Sequence, residues 1–197
     1  MTADHRPLAE APLDNLHLEQ GTRPAMPALD GATDAHRKKG RHLAVIHRMH
    51  FRELSRVETL LTEAEDGKIA PTQFADALRD SALAQNMAIF GTLCGRACQV
   101  LHFHHQAEEM MMFPELEAAD LEALNAVVAR LKEEHLVVHE LLARLAQASE
   151  ALLIAPDSAG YEHTKAIFRQ LKQVVISHFG YEETALEEAI GLYVSQL

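Results

Sequence analysis

Tryptophan is absent from this 197-residue chain, and aromatic residues make up only 5% of it. Leu, Ala, Glu and Arg dominate instead, a composition that favours helix over sheet. Basic residues are also few, 18 against 29 acidic ones, for a formal net charge of −11. That balance disfavours nucleic-acid and anionic-membrane partners and promotes solubility. No charge-free run reaches membrane-spanning length. The first residues lack the apolar stretch of a secretion signal. Cysteine occurs only at Cys94 and Cys98. Two cysteines make no disulfide framework, so a cytoplasmic setting is expected. A bridge inside a regular helical turn would be strained, so the pair reads as small apolar core residues. A glycine-rich phosphate loop, a basic stripe and a defensible Ser/His/Asp arrangement are missing too.

Histidine is in excess, with 13 copies, and its placement follows helical periods. Residues 1–32 hold Pro7, Pro12, Pro24 and Pro27 without a sustained period. They read as an irregular tail, mobile or lying on the domain as a strap. A first helix is expected from Thr33 or Asp34 to near Gly67, with the inward stripe Leu43, His47, His50, Leu54, Val57, Leu61. A second opens at Pro71-Thr72, with a break expected near Asp80-Ser81 or Gly91. It carries Leu83, Met87, Phe90, Cys94, Ala97, Leu101, His104, Glu108 and Met111 inward and closes at Phe113-Pro114. A third, from Ala118 to Ile154, has the stripe Leu121, Leu124, Val128, Leu131, His135, Val138, Leu142, Leu145. Asp157 or Ser158 caps a fourth, which runs to about Ile190 with Ile167, Leu171, Val174, His178, Glu182 and Ala185 inward. The expected fold is all-α: an up-down-up-down four-helix bundle over residues 33–192 behind the tail.

Positions i and i+4 share a helix face. His104 and Glu108 are therefore stacked neighbours, as are His178 and Glu182. At a rise of about 1.5 Å per residue, His47 and His135 stand about 20 and 26 Å after their helix starts. His104 and His178 stand about 14 and 18 Å before their helix ends. In an up-down bundle these depths coincide. A lone histidine on an apolar stripe is ordinarily a hydrogen-bonded core residue. A buried unpaired carboxylate is costly, however, and metal coordination is one of the few ways to keep it charged. Paired carboxylates can bridge two ions while imidazoles fill terminal positions, a donor set suited to non-haem iron. His50 shares the seam of His47 as an alternative or helper. His102, His105 and Glu109 flank His104-Glu108, where His102 and His105 read as outer partners or a solvated face. Glu183 competes with Glu182. Met110-Met111-Met112 reads as core packing, and Tyr181 as a packing or hydrogen-bonding residue beside the site.

His104-His105-Gln106-Ala107-Glu108-Glu109 with Met112-Phe113-Pro114, Glu134-His135, His178-Phe179-Gly180-Tyr181-Glu182-Glu183 and the lone His47 together resemble the hemerythrin-like, or HHE cation-binding, domains over roughly residues 34–192. The resemblance implies two iron ions, oxo- or hydroxo-bridged, on His47, His104, Glu108, His135, His178 and Glu182. It adds His139, because oxygen carriers of the family supply two histidines four apart from the third helix. Those carriers also place an aspartate five residues after the fourth-helix histidine, where this chain has Glu183. The ferritin-like alternative requires Glu-x-x-His on two helices, and that motif occurs nowhere here. The expected function is binding of O2, NO or peroxide in a carrier, sensing or redox-protection role. An enzyme at the same ions, decomposing peroxide or acting as an oxidase, is the first alternative. An interaction module merely stabilised by metal is the second.

Overall fold

The computed structural model describes residues 7–63, 65–66, 85–86, 89–92 and 94–195. The expected helix start at Pro71-Thr72, the stripe residues Leu83 and Met87, and the break near Asp80-Ser81 lie outside the described residues. Within them the chain is an all-α bundle, with no strand. The described residues fall into two compact units assembled from interleaved stretches. One draws on 1–17, 53–99 and 137–174, the other on 18–52, 100–136 and 175–197.

Helix α1 is Asp34–Gly40, and Thr33 caps it as expected. The Thr33 hydroxyl accepts from the His36 N–H, while the Thr33 N–H donates to His36 Nδ1 at 3.1 Å. This is a capping box with histidine in the place usually held by Glu or Gln. Helix α2, His42–Glu63, buries every residue of its expected stripe.

The second helical region departs from expectation. Gly91, at φ 69°, breaks the chain in the left-handed region open to glycine. Helix α3 begins only at Arg96 and runs to Ala107. Cys94 therefore precedes the helix, with Gly95 at φ 54° behind it. The two cysteines pair as a disulfide with Cα atoms 5.7 Å apart, within the span a bridge requires. The expectation of two unbridged cysteines fails because only Cys98 sits in a regular turn.

A π-helical turn, Glu108–Met112, follows α3, and the Phe113 N–H reaches back to the Glu108 carbonyl. The chain then continues as α4, Phe113–Glu117, with Pro114 in its first turn. Proline thus does not close the helix, because it occupies a first-turn position where no N–H is needed. The wide turn also consumes one extra residue. The inward position passes from Met111, which is exposed, to Met112, which is buried. Met110 is exposed as well, so only one of the three methionines packs in the core.

Asp120, at φ 52°, separates α4 from α5, Glu122–Ile154. Its buried stripe matches the expected one with two differences: Leu121, just before the helix, is only half-buried, and Leu141 is buried in place of Leu142. Asp157 caps α6, Ser158–Tyr193, by accepting from the Gly160 N–H at 2.6 Å. All six residues expected to face inward on α6 are buried.

The unit that includes residues 100–136 is closed by a core of Leu43, Phe113, Leu124, Leu131, Leu186 and Ile190, among others. Fully burying each such side chain contributes about 1.5–3 kcal/mol. Gly40 and Gly191 sit where α1 and α6 touch backbone to backbone: a Cβ on Gly40 would overlap Glu187, and one on Gly191 would overlap His36. In the same unit, residues 18–32 are irregular apart from a 3-10 turn at Gln20–Thr22. They are bonded to the helices by Gln20 to Ser177 and by the Leu29 N–H to Glu188. No helix among the described residues is long and apolar enough to cross a membrane.

Candidate metal centre

The histidines and glutamates discussed below, His139 apart, come from α2, α3, the π turn, α5 and α6 and belong to the unit of residues 18–52, 100–136 and 175–197. They gather in two groups. His47, His104, Glu108 and Glu182 offer ligand atoms within 4.8 Å of one another, and so do His105, His135 and His178. The Nε2 atoms of His47 and His104 are 3.0 Å apart, and those of His135 and His178 are 3.2 Å apart.

Glu108 addresses both groups. Its Oε1 lies 3.0 Å from His104 Nε2, and its Oε2 lies 3.5 Å from His135 Nε2. Glu182 does the same with one oxygen: Oε2 is 3.5 Å from His47 Nε2 and 3.8 Å from His178 Nε2. Both carboxylates are buried, and none of their four oxygens accepts a hydrogen bond among the described residues.

The rings are held from behind. His47 Nδ1 meets Glu183 at 2.9 Å, His135 Nδ1 meets Glu109 at 2.7 Å and His178 Nδ1 meets Glu134 at 3.1 Å. An anionic acceptor fixes the Nδ1–H tautomer and leaves the Nε2 lone pair facing inward, the usual support of a metal-bound imidazole. Ring faces are fixed as well. His47 stacks on Phe179 with centroids 3.6 Å apart, and His105 stacks on His135 at 4.0 Å.

Several placements differ from the sequence reading. His105 is fully buried and joins His135 and His178. Consecutive residues on a helix point about 100° apart, so His104 and His105 straddle the seam and serve different groups. His139, expected by resemblance, belongs to neither group, whereas His105 belongs to one. His50 is buried against the His104 ring, with centroids 4.8 Å apart, and is also outside both groups. His102 is only half-buried. The Glu-Glu doublets divide their work: Glu108 and Glu182 face inward, whereas Glu109 and Glu183 orient histidines. The sequence places Glu134 beside His135 among the residues of the resemblance but assigns it no role. The Tyr181 hydroxyl donates to the Pro24 carbonyl at 2.8 Å and so holds residues 18–32 rather than the centre.

Burial governs the protonation of this set. It pushes His47 down to about 2 and His104 to about 3, with neighbouring imidazoles adding to the effect. His178 is lowered by burial, against the pull of Glu134. Burial raises Glu108 well above the usual carboxylate range, with Glu182 beside it, and raises Glu182 to about 8. Burial would raise Glu134 too, but its bonds from His178 and Arg23 hold it below the ordinary value. The centre is thus a set of neutral imidazoles around two carboxyl groups that lack positive partners and keep their protons near neutral pH. Buried carboxyl oxygens without a hydrogen bond, set among imidazole nitrogens, are a donor set that fits cations.

Residues 40–189 match the family model of the hemerythrin HHE cation binding domain. The chain belongs to that family. No curated protein and no solved structure shows a significant match to this hemerythrin-like chain. Membership implies metal binding, and the group of three histidines and the mixed His/Glu group are able to hold metal.

Proposed function

We propose that this hemerythrin-like chain holds two iron ions and binds O2, NO or peroxide there, as a carrier, sensor or redox-protective protein. The observation that carries the reading is Glu108, whose two oxygens face different histidine groups. His47 and His104 would serve one ion, and His105, His135 and His178 the other. Glu108 and Glu182 would lie between them.

The donors are all nitrogen and oxygen, a set that suits non-haem iron with open positions. Two such ions would supply reversible redox change and room for a small ligand. The residues supply the rest. Glu183, Glu109 and Glu134 keep three imidazoles in the ligating tautomer, and Phe179 and Phe113 press against ring faces. Glu108 and Glu182 must give up their protons as the ions enter.

The test is an optical titration. Iron-loaded protein should show a charge-transfer band that shifts stoichiometrically with azide, peroxide or NO. A spectrum indifferent to all three would reject the reading. Sustained oxygen release from peroxide, lost in Glu108→Ala, would assign turnover instead of binding.

A further inference from the structure

We propose that Arg23 is a positioning residue of the metal centre and acts through Glu134 on His178. The proposal rests on the metal-binding reading above. Arg23 lies outside the stretch that matches the family, 40–189, so this arm would be a feature of the chain's own N-terminal segment.

Glu134 is the acceptor for His178 Nδ1, at 3.1 Å. The same carboxylate takes a two-pronged grip from Arg23, Nε to Oε1 at 2.7 Å and an Nη2 bond to Oε2 at 2.9 Å. Such a fork fixes the plane of a carboxylate as well as its charge. Arg130 adds a bond to Oε1 at 3.2 Å. With these lone pairs occupied, the remaining direction of Oε2 points at the imidazole. Rotation of Glu134 would tilt His178 and move its Nε2 off the ion.

Exposure separates this carboxylate from its two counterparts. The Glu134 side chain is 1% exposed, whereas Glu109 is 40% and Glu183 is 32% exposed. Water can solvate the latter two; Glu134 depends on its protein partners. The arm that brings Arg23 is itself anchored. Its guanidinium lies over the Tyr181 ring, 4.6 Å from the centroid. Tyr181 holds the Pro24 carbonyl, Arg130 holds the Glu19 carbonyl at 3.0 Å and Gln20 bonds Ser177 at 3.0 Å. These bonds brace the segment on both sides of Arg23.

The experiment is a Co(II) titration of the full chain, comparing wild type, Arg23→Gln, Arg23→Lys and Arg37→Gln. Arg37 pairs with Glu188 rather than with the centre. Arg23→Gln should weaken one of two cobalt ions by roughly 10-fold and leave the other, the scale seen when ligand-orienting partners are removed. Arg23→Lys, which keeps the charge without the fork, should fall between wild type and Arg23→Gln. Arg37→Gln should titrate as wild type. In the Zn(II)-loaded protein the His178 Nδ1–H proton resonance should move in Arg23→Gln and stay in Arg37→Gln. Two ions of wild-type affinity with an unmoved resonance in Arg23→Gln would overturn the proposal alone. Parallel loss of both ions in Arg23→Gln and Arg37→Gln would overturn it too, as a general folding effect. Failure of the wild type to take up cobalt and iron would instead sink the metal reading itself.

Discussion

His47 and His104 face each other through their Nε2 atoms at 3.0 Å, on different helices, with His47 fully buried. Two imidazoles so placed share a hydrogen bond only if one keeps its Nε2 proton, and His47 already has Glu183 at its Nδ1. A cation bound between them would remove the conflict, because both lone pairs could then face it.

The metal-free protein should therefore have a distinctive pH profile. The folded values of His47 and His104 lie near 2 and 3, below the ordinary 6.5. Their contribution is present above 6.5 and is lost as pH falls, at about 1.4 kcal/mol per pH unit for each histidine. Glu182 goes the other way, from 4.5 to about 8. Its contribution is complete below 4.5 and disappears as pH rises through about 8. Among these buried groups, the carboxylates set the slope from 6.5 to 8. Thermal unfolding in the presence of chelator should show falling stability across that window. Rising stability there would contradict the assignment. Adding metal near pH 7 should release protons from Glu108 and Glu182, measurable with an indicator dye.

His105→Ala and His139→Ala separate the structure from the family resemblance. Loss of His105 should remove a ligand from the group with His135 and His178 and leave one ion weakly held. His139→Ala should retain both. Quantifying bound metal after gel filtration reads the difference, and the reverse outcome would restore His139 as a ligand.

The two orienting carboxylates should act on different ions. Glu183→Ala frees His47, and Glu109→Ala frees His135; each should cost roughly 10- to 100-fold in the affinity of one ion. Cobalt titration of the two single variants and the double variant checks this. Equal effects on both ions in either single variant would show that the carboxylates do not act through their histidines.

Two glycines should respond to alanine with opposite signs. Gly180 lies within α6, with nothing near a would-be Cβ. Gly180→Ala should stabilise by about 0.5–1 kcal/mol, the usual helix gain. Gly40→Ala drives a methyl into the Glu187 backbone and should destabilise by about 1–3 kcal/mol or more. Chemical denaturation of both variants checks the pair. A stabilised Gly40→Ala would mean that α1 and α6 are not in close contact there.

The helical periods made much of this legible. Every stripe residue of α2 is buried as the sequence predicts, because an unbroken α-helix keeps its register along the whole face. The register failed where geometry, rather than pattern, changed. The π turn at Glu108–Met112 moved the inward methionine by one residue and carried the helix through Pro114. The disulfide was missed because the start of α3 depends on the left-handed Gly95. His105 could have been found from the adjacent His104-His105 pair, since neighbours on a helix can serve two ions. Arg23 and Glu134 could not, because 111 residues separate them and no local period links an irregular segment to a helix.

The most direct measurement is anomalous diffraction at the iron edge from crystals of iron-loaded protein. The account predicts two peaks per chain, one beside His47 and His104 and one beside His105, His135 and His178, with Glu108 between them. A single peak, or peaks away from Glu108, would contradict it.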